Sequence, residues 1–263
     1  MVKERRLSRA RPLIGVLIAI GVWEILATAG APGPQYLASV SAVAASLSHS
    51  PGALASALGG TFQTWAIAMA ISFCAAVILG VIVAAVPTLD QLSEWVVRST
   101  RSIPAVALIP IAILLFGLTT TMEALLVVAA AFWPIFVNVV YGVRRNRVEY
   151  REKARALKMN RWRFYRQVVV PASAPMIASG TRAAIGLSMA ATIAVELVVG
   201  YGGLGGLVLN AEQTNDTPLI YAGVVVGGAA GWLLNLLFSY GQRRSLRWAY
   251  RGTAALGGAA GSA

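Results

Sequence analysis

Apolar residues in this chain come in long blocks, without the alternation of a half-buried strand or the three-to-four-residue spacing of a half-buried helix. Six blocks stand out: 13–31, which contains Glu24; 62–87, free of charge; 103–118, shorter and interrupted by Pro104 and Pro110; 122–143; 173–200; and 220–240. Blocks near 20 residues match a hydrocarbon core of about 30 Å at about 1.5 Å per helical residue. Lipid offers no partner to a free backbone N–H or C=O, so the blocks must be helical. The ten-residue alternating pattern of a barrel strand is absent. The predicted fold class is an all-α integral membrane protein with about six transmembrane helices. Pro104, Pro110 and Pro134 are expected to mark bends, because proline removes a backbone donor.

The positions of the cations then orient the spans. Five precede the first block (Lys3, Arg5, Arg6, Arg9 and Arg11), and Arg98 and Arg101 separate the second from the third. Ten lie from Arg144 to Arg166, and Arg243, Arg244, Arg247 and Arg251 follow the last block. The intervening segments 32–61, 119–121 and 201–219 hold none, and Arg182 alone lies inside a span. Basic segments stay in the cytoplasm, so six spans with both termini cytoplasmic is the arrangement expected, in the cell membrane of a prokaryote. The corresponding division is a basic tail at 1–12, a membrane domain at 13–250 and a disordered tail at 251–263. Five cations before an apolar run, with Ala27-Thr28-Ala29 and Ala29-Gly30-Ala31 behind it, also fit a cleaved signal. The run is long for one, so a retained first helix is expected.

Composition agrees with this picture and removes several functions. Of 263 residues, 57% are hydrophobic and 12% charged, and mean hydropathy is +0.70. A soluble domain carries about twice that charge. The net charge of +12 would point to nucleic acid in a soluble protein. Here it is explained by topology, and no nucleic-acid partner is expected. Cys74 lies mid-span with no second cysteine, and packing is its expected role. His49 is the only histidine and falls outside, so neither a metal site nor histidine catalysis is expected. H-E-x-x-H, G-x-S-x-G and G-x-x-x-x-G-K-[ST] do not occur. The chain is not expected to be an enzyme, to carry a cofactor or to cradle ATP.

Topology does not explain the order of residues within the basic loop REKARALKMNRWRFYRQVVVPASAP, 151–175. Helix formers fill 152–157, and Met159-Asn160 breaks the pattern. An amphipathic segment follows, and Pro171 is expected to stop it. The predicted arrangement is a short cytoplasmic helix, a turn, and an interfacial helix lifting into span five.

This loop resembles the EAA loop of permease subunits in type I binding-protein-dependent ABC importers. That loop reads E-A-A-x-x-x-G, nine residues, then I-x-L-P. Glu152, Ala154 and Pro171 match, Val168 and Val170 stand in for the Ile and Leu, and Arg155, Leu157 and Pro175 are residues often seen at their positions in the nitrate/sulfonate/taurine branch. Lys153 replaces an Ala, and Lys158 stands where Gly is usual. A Gly there allows a tight turn, and Lys can still enter the left-handed conformation at a cost of about 1 kcal/mol. RSIPAVALIPIAILLFG (101–117) resembles the third span of that branch. GTRAAIGLSMAATIAVELVVGYGGLGGLV (180–208) resembles its fifth span and following loop, including Arg182, Glu196 and Gly203-Leu204-Gly205. Arg247-Trp248 also fits, so the resemblance covers about 55–250.

The resemblance implies a permease of an ATP-driven importer, paired with a second copy, two ATPase subunits and an extracytoplasmic substrate-binding protein, with ATP and Mg on the ATPases. It implies a coupling loop at about 149–171, in which Glu152, Ala154, Arg155, Ala156, Leu157 and Lys158 contact the ATPase. It also implies a path lined by spans three to five. Asn138, Arg182, Ser188, Thr192 and Glu196 are the candidate path or gate residues, with interhelical packing or, for Arg182, snorkelling as the alternatives. Ser188, Thr192 and Glu196 share one helical face with Ala184. The branch handles small anions such as sulfonates, taurine or nitrate, although related permeases carry pyrimidines and vitamins. A secondary transporter or channel would also span six times, but would not need the loop, and no inverted repeat is evident. An intramembrane enzyme would lack a base, and a scaffold would not need the Gly-Leu-Gly loop.

Overall fold

A computed structural model of the protein describes residues 2–30, 33, 35–86, 104–200 and 202–248, the side chains of 2–13 excepted. Arg98, Arg101, Arg251 and the 251–263 tail lie outside the described residues. Nine α-helices and no strand occur among the described residues: α1 (Val2–Thr28), α2 (Val40–His49), α3 (Pro51–Ala85), α4 (Ile109–Phe116), α5 (Thr120–Ala156), α6 (Arg161–Phe164), α7 (Val170–Val199), α8 (Gly203–Gln213) and α9 (Thr217–Ser245). A 3₁₀ turn, Ala105–Leu108, leads into α4, and a π turn, Tyr165–Val169, joins α6 to α7.

Among the described residues, four helical stretches are long and apolar enough to cross a membrane: Pro51–Ala85, Thr120–Ala156, Arg161–Val199 and Thr217–Ser245. Ile14–Thr28 and Ala105–Phe116 are shorter apolar helices. The third predicted span thus reduces to twelve described helical residues, about 20 Å of rise. Pro110 bends nothing; it occupies the first turn of α4, where its missing N–H would have no intrahelical partner in any case. Pro104 precedes the 3₁₀ turn in extended backbone. Pro134 does lie inside a helix, α5. α1 begins at Val2 and so runs through the basic segment 1–12; Lys, Arg, Glu and Leu are good helix formers.

The described residues of 1–61 and 196–228 form one compact unit, and those of 62–195 and 229–263 another. In the first, Ala38, Val43, Leu54 and Ala222 form a core against which Trp23, Leu207 and Tyr221 pack. The Trp23 indole N–H donates to Ala38 O at 3.0 Å, and the Tyr221 hydroxyl to Tyr36 O at 2.9 Å. Glu24 accepts from the backbone N–H groups of Val40 and Ser41 and, at 2.8 Å, from the Ser41 hydroxyl. Its carboxylate therefore caps the N-terminus of α2, where negative charge is stabilising.

In the second unit α5 is the spine. Val127, Ala131, Ile135, Val139 and Val143, each four apart, are buried. Close helix approach depends on Gly180: a Cβ there would stand 2.7 Å from Pro134 O and 2.6 Å from Asn138 Cβ. Large apolar side chains nevertheless face outward, among them Ile71, Ile78 and Ile82 on α3 and Trp232, Leu236 and Leu237 on α9. A surface of this kind suits lipid rather than water.

Candidate functional site

The basic loop is built differently from the pattern its sequence predicts. No separate short helix precedes the turn. Span four and the segment 149–156 form one 37-residue helix, α5, about 55 Å long. Helix formers without Gly or Pro run from 144 to 156, so nothing interrupts the hydrogen-bond ladder when the apolar stretch ends. α5 stops in a Schellman arrangement: Met159 N–H donates to Ala154 O and Lys158 N–H to Arg155 O, both at 3.0 Å. Lys158 sits at φ 50°, in the left-handed region that a Gly would enter without strain. Ala154 is buried, Glu152, Lys153, Arg155 and Ala156 are exposed, and Leu157 at the tip is 74% exposed. The Lys153 ammonium lies 5.2 Å from the centre of the Tyr150 ring.

Pro171 does not end the segment that follows. Helix continues from Arg161 to Val199, with the π turn just before the proline. Val170 N–H reaches back five residues to Tyr165 O. The wider turn lets the helix absorb a residue without an N–H, whose ring would clash with a carbonyl four positions earlier.

The candidate path residues Asn138, Arg182, Ser188 and Thr192 occupy three distinct settings. Asn138 donates to Pro134 O at 2.8 Å and is half-buried against Gly180. Arg182 is exposed, and its Nε–H donates to Asn235 Oδ1 at 2.9 Å. Ser188 and Thr192 are fully buried. Ser188 Oγ accepts the Trp65 indole N–H at 2.8 Å, and the Thr192 hydroxyl donates to Ser188 O at 2.8 Å.

Glu196 makes the most specific contacts and is 2% exposed. Its Oε2 accepts from the Thr61 hydroxyl at 2.8 Å and from Gly205 N–H at 3.0 Å, while Thr61 Oγ1 accepts Leu204 N–H at 2.8 Å. The carboxyl and the hydroxyl together satisfy two of the unpaired N–H groups at the start of α8. The Gly203-Leu204-Gly205 motif thereby acquires a physical reason. Gly203 has φ 60°, and any Cβ on it would fall onto the Glu196 carboxyl group. Thr61 and Trp65 did not emerge from the sequence. Their only signal was a Thr and a Trp one helical turn apart, just after Gly59-Gly60, at the start of a charge-free block.

Residues 76–248 match the family of inner membrane components of binding-protein-dependent transport systems. The chain belongs to this family. The permease is 32% identical over 249 residues to the bicarbonate transport system permease protein CmpB of Synechococcus elongatus, covering 90% of this chain and 89% of that one. It is 27% identical over 183 residues to the nitrate import permease protein NrtB of Leptolyngbya laminosa, covering 70% and 66%. In fold it resembles a crystal structure of an amino acid ABC transporter with histidines, with a TM-score of 0.61, 14% identity, and 77% and 96% coverage. It is a multi-pass membrane permease subunit of an ABC importer, a family that works with a binding protein and an ATPase.

Proposed function

We propose that this permease carries a small anion, such as bicarbonate, nitrate or a sulfonate, and that the end of α5 with its turn is the surface through which ATP hydrolysis on two separate ATPase subunits is coupled to the spans. ATP and Mg belong to those subunits, and two permease copies pair around one path. The basic segments, the loop included, face the cytoplasm.

The observation that carries the coupling assignment is the exposed Leu157. It stands at the tip of a helix continuous with span four, on a turn fixed by two backbone hydrogen bonds. A rigid helix ending in an uncovered leucine, flanked by Arg155 and Lys158, suits insertion into a cleft on another protein. Movement of that cleft would be carried along α5 without a hinge. Asn138, Arg182, Ser188, Thr192 and Glu196 serve the path at two levels. Arg182, exposed within a span, supplies positive charge for an anion, and the Glu196–Thr61 contact holds the outer turn in place.

Leu157→Asp tests coupling, because it puts an unpaired charge into a desolvated interface. The variant should reach the membrane and lose co-purification with the ATPase. Full transport with normal ATPase stoichiometry would show that docking lies elsewhere. The substrate class is checked separately by thermal protection of the partner binding protein with bicarbonate, nitrate, an alkyl sulfonate and a neutral vitamin. Protection by the vitamin alone would exclude the anion reading and leave the coupling assignment intact.

A further inference from the structure

Topology accounts for the basic segments but not for Arg182, which lies within the apolar stretch of α7 and is exposed. A guanidinium in hydrocarbon is costly, and it escapes that cost by reaching the headgroups or by facing water. Arg182 is anchored on α9, where its Nε–H donates to Asn235 Oδ1 at 2.9 Å. Asn235 stands eight residues before Arg243, about 12 Å of helix short of the basic end of α9. The bond therefore ties the charged head to a point inside the span, away from the level of Arg243 and Arg244. The acceptor is itself braced. The Ser239 hydroxyl, one turn further along α9, donates to Asn235 O at 2.6 Å and lies 3.4 Å from Oδ1.

The chemistry of this partner is what matters. A carboxylate would hold the guanidinium and cancel its charge, whereas the Asn235 amide holds it and is neutral. Nε is engaged, and among the described residues Arg182 makes no other polar contact. The two Nη groups are then the edge left for another acceptor. That edge carries parallel N–H groups in the fork that matches an oxyanion. Small residues leave room beside it. Ser179 and Ala183 lie on the same face of α7 and are exposed, and a Cβ added to Gly186, one turn further on, would meet nothing within 4 Å. We propose that Asn235 is a positioning residue for the transported anion: it fixes the Arg182 guanidinium through Nε and, being uncharged, leaves the positive charge to an oxyanion at the Nη edge. The path then includes α9 as well as spans three to five. This rests on the reading of Arg182 as a path residue for a small anion.

The test uses the assembled permease–ATPase complex in proteoliposomes with saturating binding protein. Labelled bicarbonate, nitrate and methanesulfonate are offered, and uptake is read per ATP hydrolysed, next to the melting temperature of each variant. Arg182→Gln sets the reference and should lower uptake per ATP about tenfold, the worth of one hydrogen bond to a charged group. Asn235→Asp is the decisive variant. It keeps the contact with Nε, so its melting temperature should equal or exceed that of wild type, yet uptake per ATP should fall about as far as in Arg182→Gln because the charge is cancelled. Asn235→Gln keeps a neutral acceptor and should retain most of the uptake. Asn235→Leu, which frees the guanidinium, should lose it. Normal uptake by Asn235→Asp alongside impaired Arg182→Gln overturns the positioning role and leaves Arg182 in the path. An Asn235→Leu variant that melts earlier but transports normally also overturns it, making the contact structural. Normal uptake by Arg182→Gln, or delivery of none of the three anions, removes the path reading and this proposal together.

Discussion

Replacing Gly203 with Ala isolates the contact that joins span five to the start of α8. Two costs follow from the structure. A residue with a Cβ at φ 60° is strained by about 1 kcal/mol. The new methyl also falls onto the Glu196 carboxyl, which has to withdraw from Thr61 and Gly205. Buried donors left unsatisfied cost about 1–3 kcal/mol, although hydrogen bonds between membrane helices can be worth less. The expected loss is therefore about 2–4 kcal/mol. Gly202 provides an internal control. It has φ 71° with nothing within 4 Å of an added Cβ, so Gly202→Ala should cost only the strain. The assay is thermal unfolding of the purified permease in detergent, followed by tryptophan fluorescence, for both alanine variants and again in a Glu196→Ala background. There Gly203→Ala should cost no more than Gly202→Ala, because the group it displaces is gone. An undiminished cost of Gly203→Ala after Glu196→Ala would refute the steric reasoning.

Three further outcomes are expected. Lys158→Gly should stabilise the end of α5 by about 1 kcal/mol, measured by hydrogen exchange at the 154–159 amides, because Lys158 occupies φ 50°. Ser188→Ala should lower the melting temperature by orphaning the buried Trp65 indole N–H, and Trp65→Phe added to it should recover part of the loss. In a Cys74→Ala background, a cysteine replacing exposed Ser48 should label from outside the cell, and one replacing exposed Arg163 only after permeabilisation. Reversed labelling would invert the topology.

What the sequence determined by itself is what one-dimensional physics controls. Apolar blocks must become helices because lipid cannot satisfy a free backbone, and this holds whatever their neighbours are. The break at Met159-Asn160 was legible because a Schellman turn is closed by residues within six positions. Local patterns failed where an irregular turn intervened. Pro171 reads as a helix end, yet a five-residue π turn carries the helix through it. Likewise, the basic loop reads as a short separate helix, yet nothing in 144–156 compels α5 to stop. The Glu196 setting depended wholly on tertiary structure. Thr61 stands 135 positions from Glu196, and no local periodicity links them. Only the folded chain brings the hydroxyl, the carboxyl and the first N–H groups of α8 together in a space that excludes water. There each polar group must find a protein partner, and Gly203 must have no side chain to obstruct it.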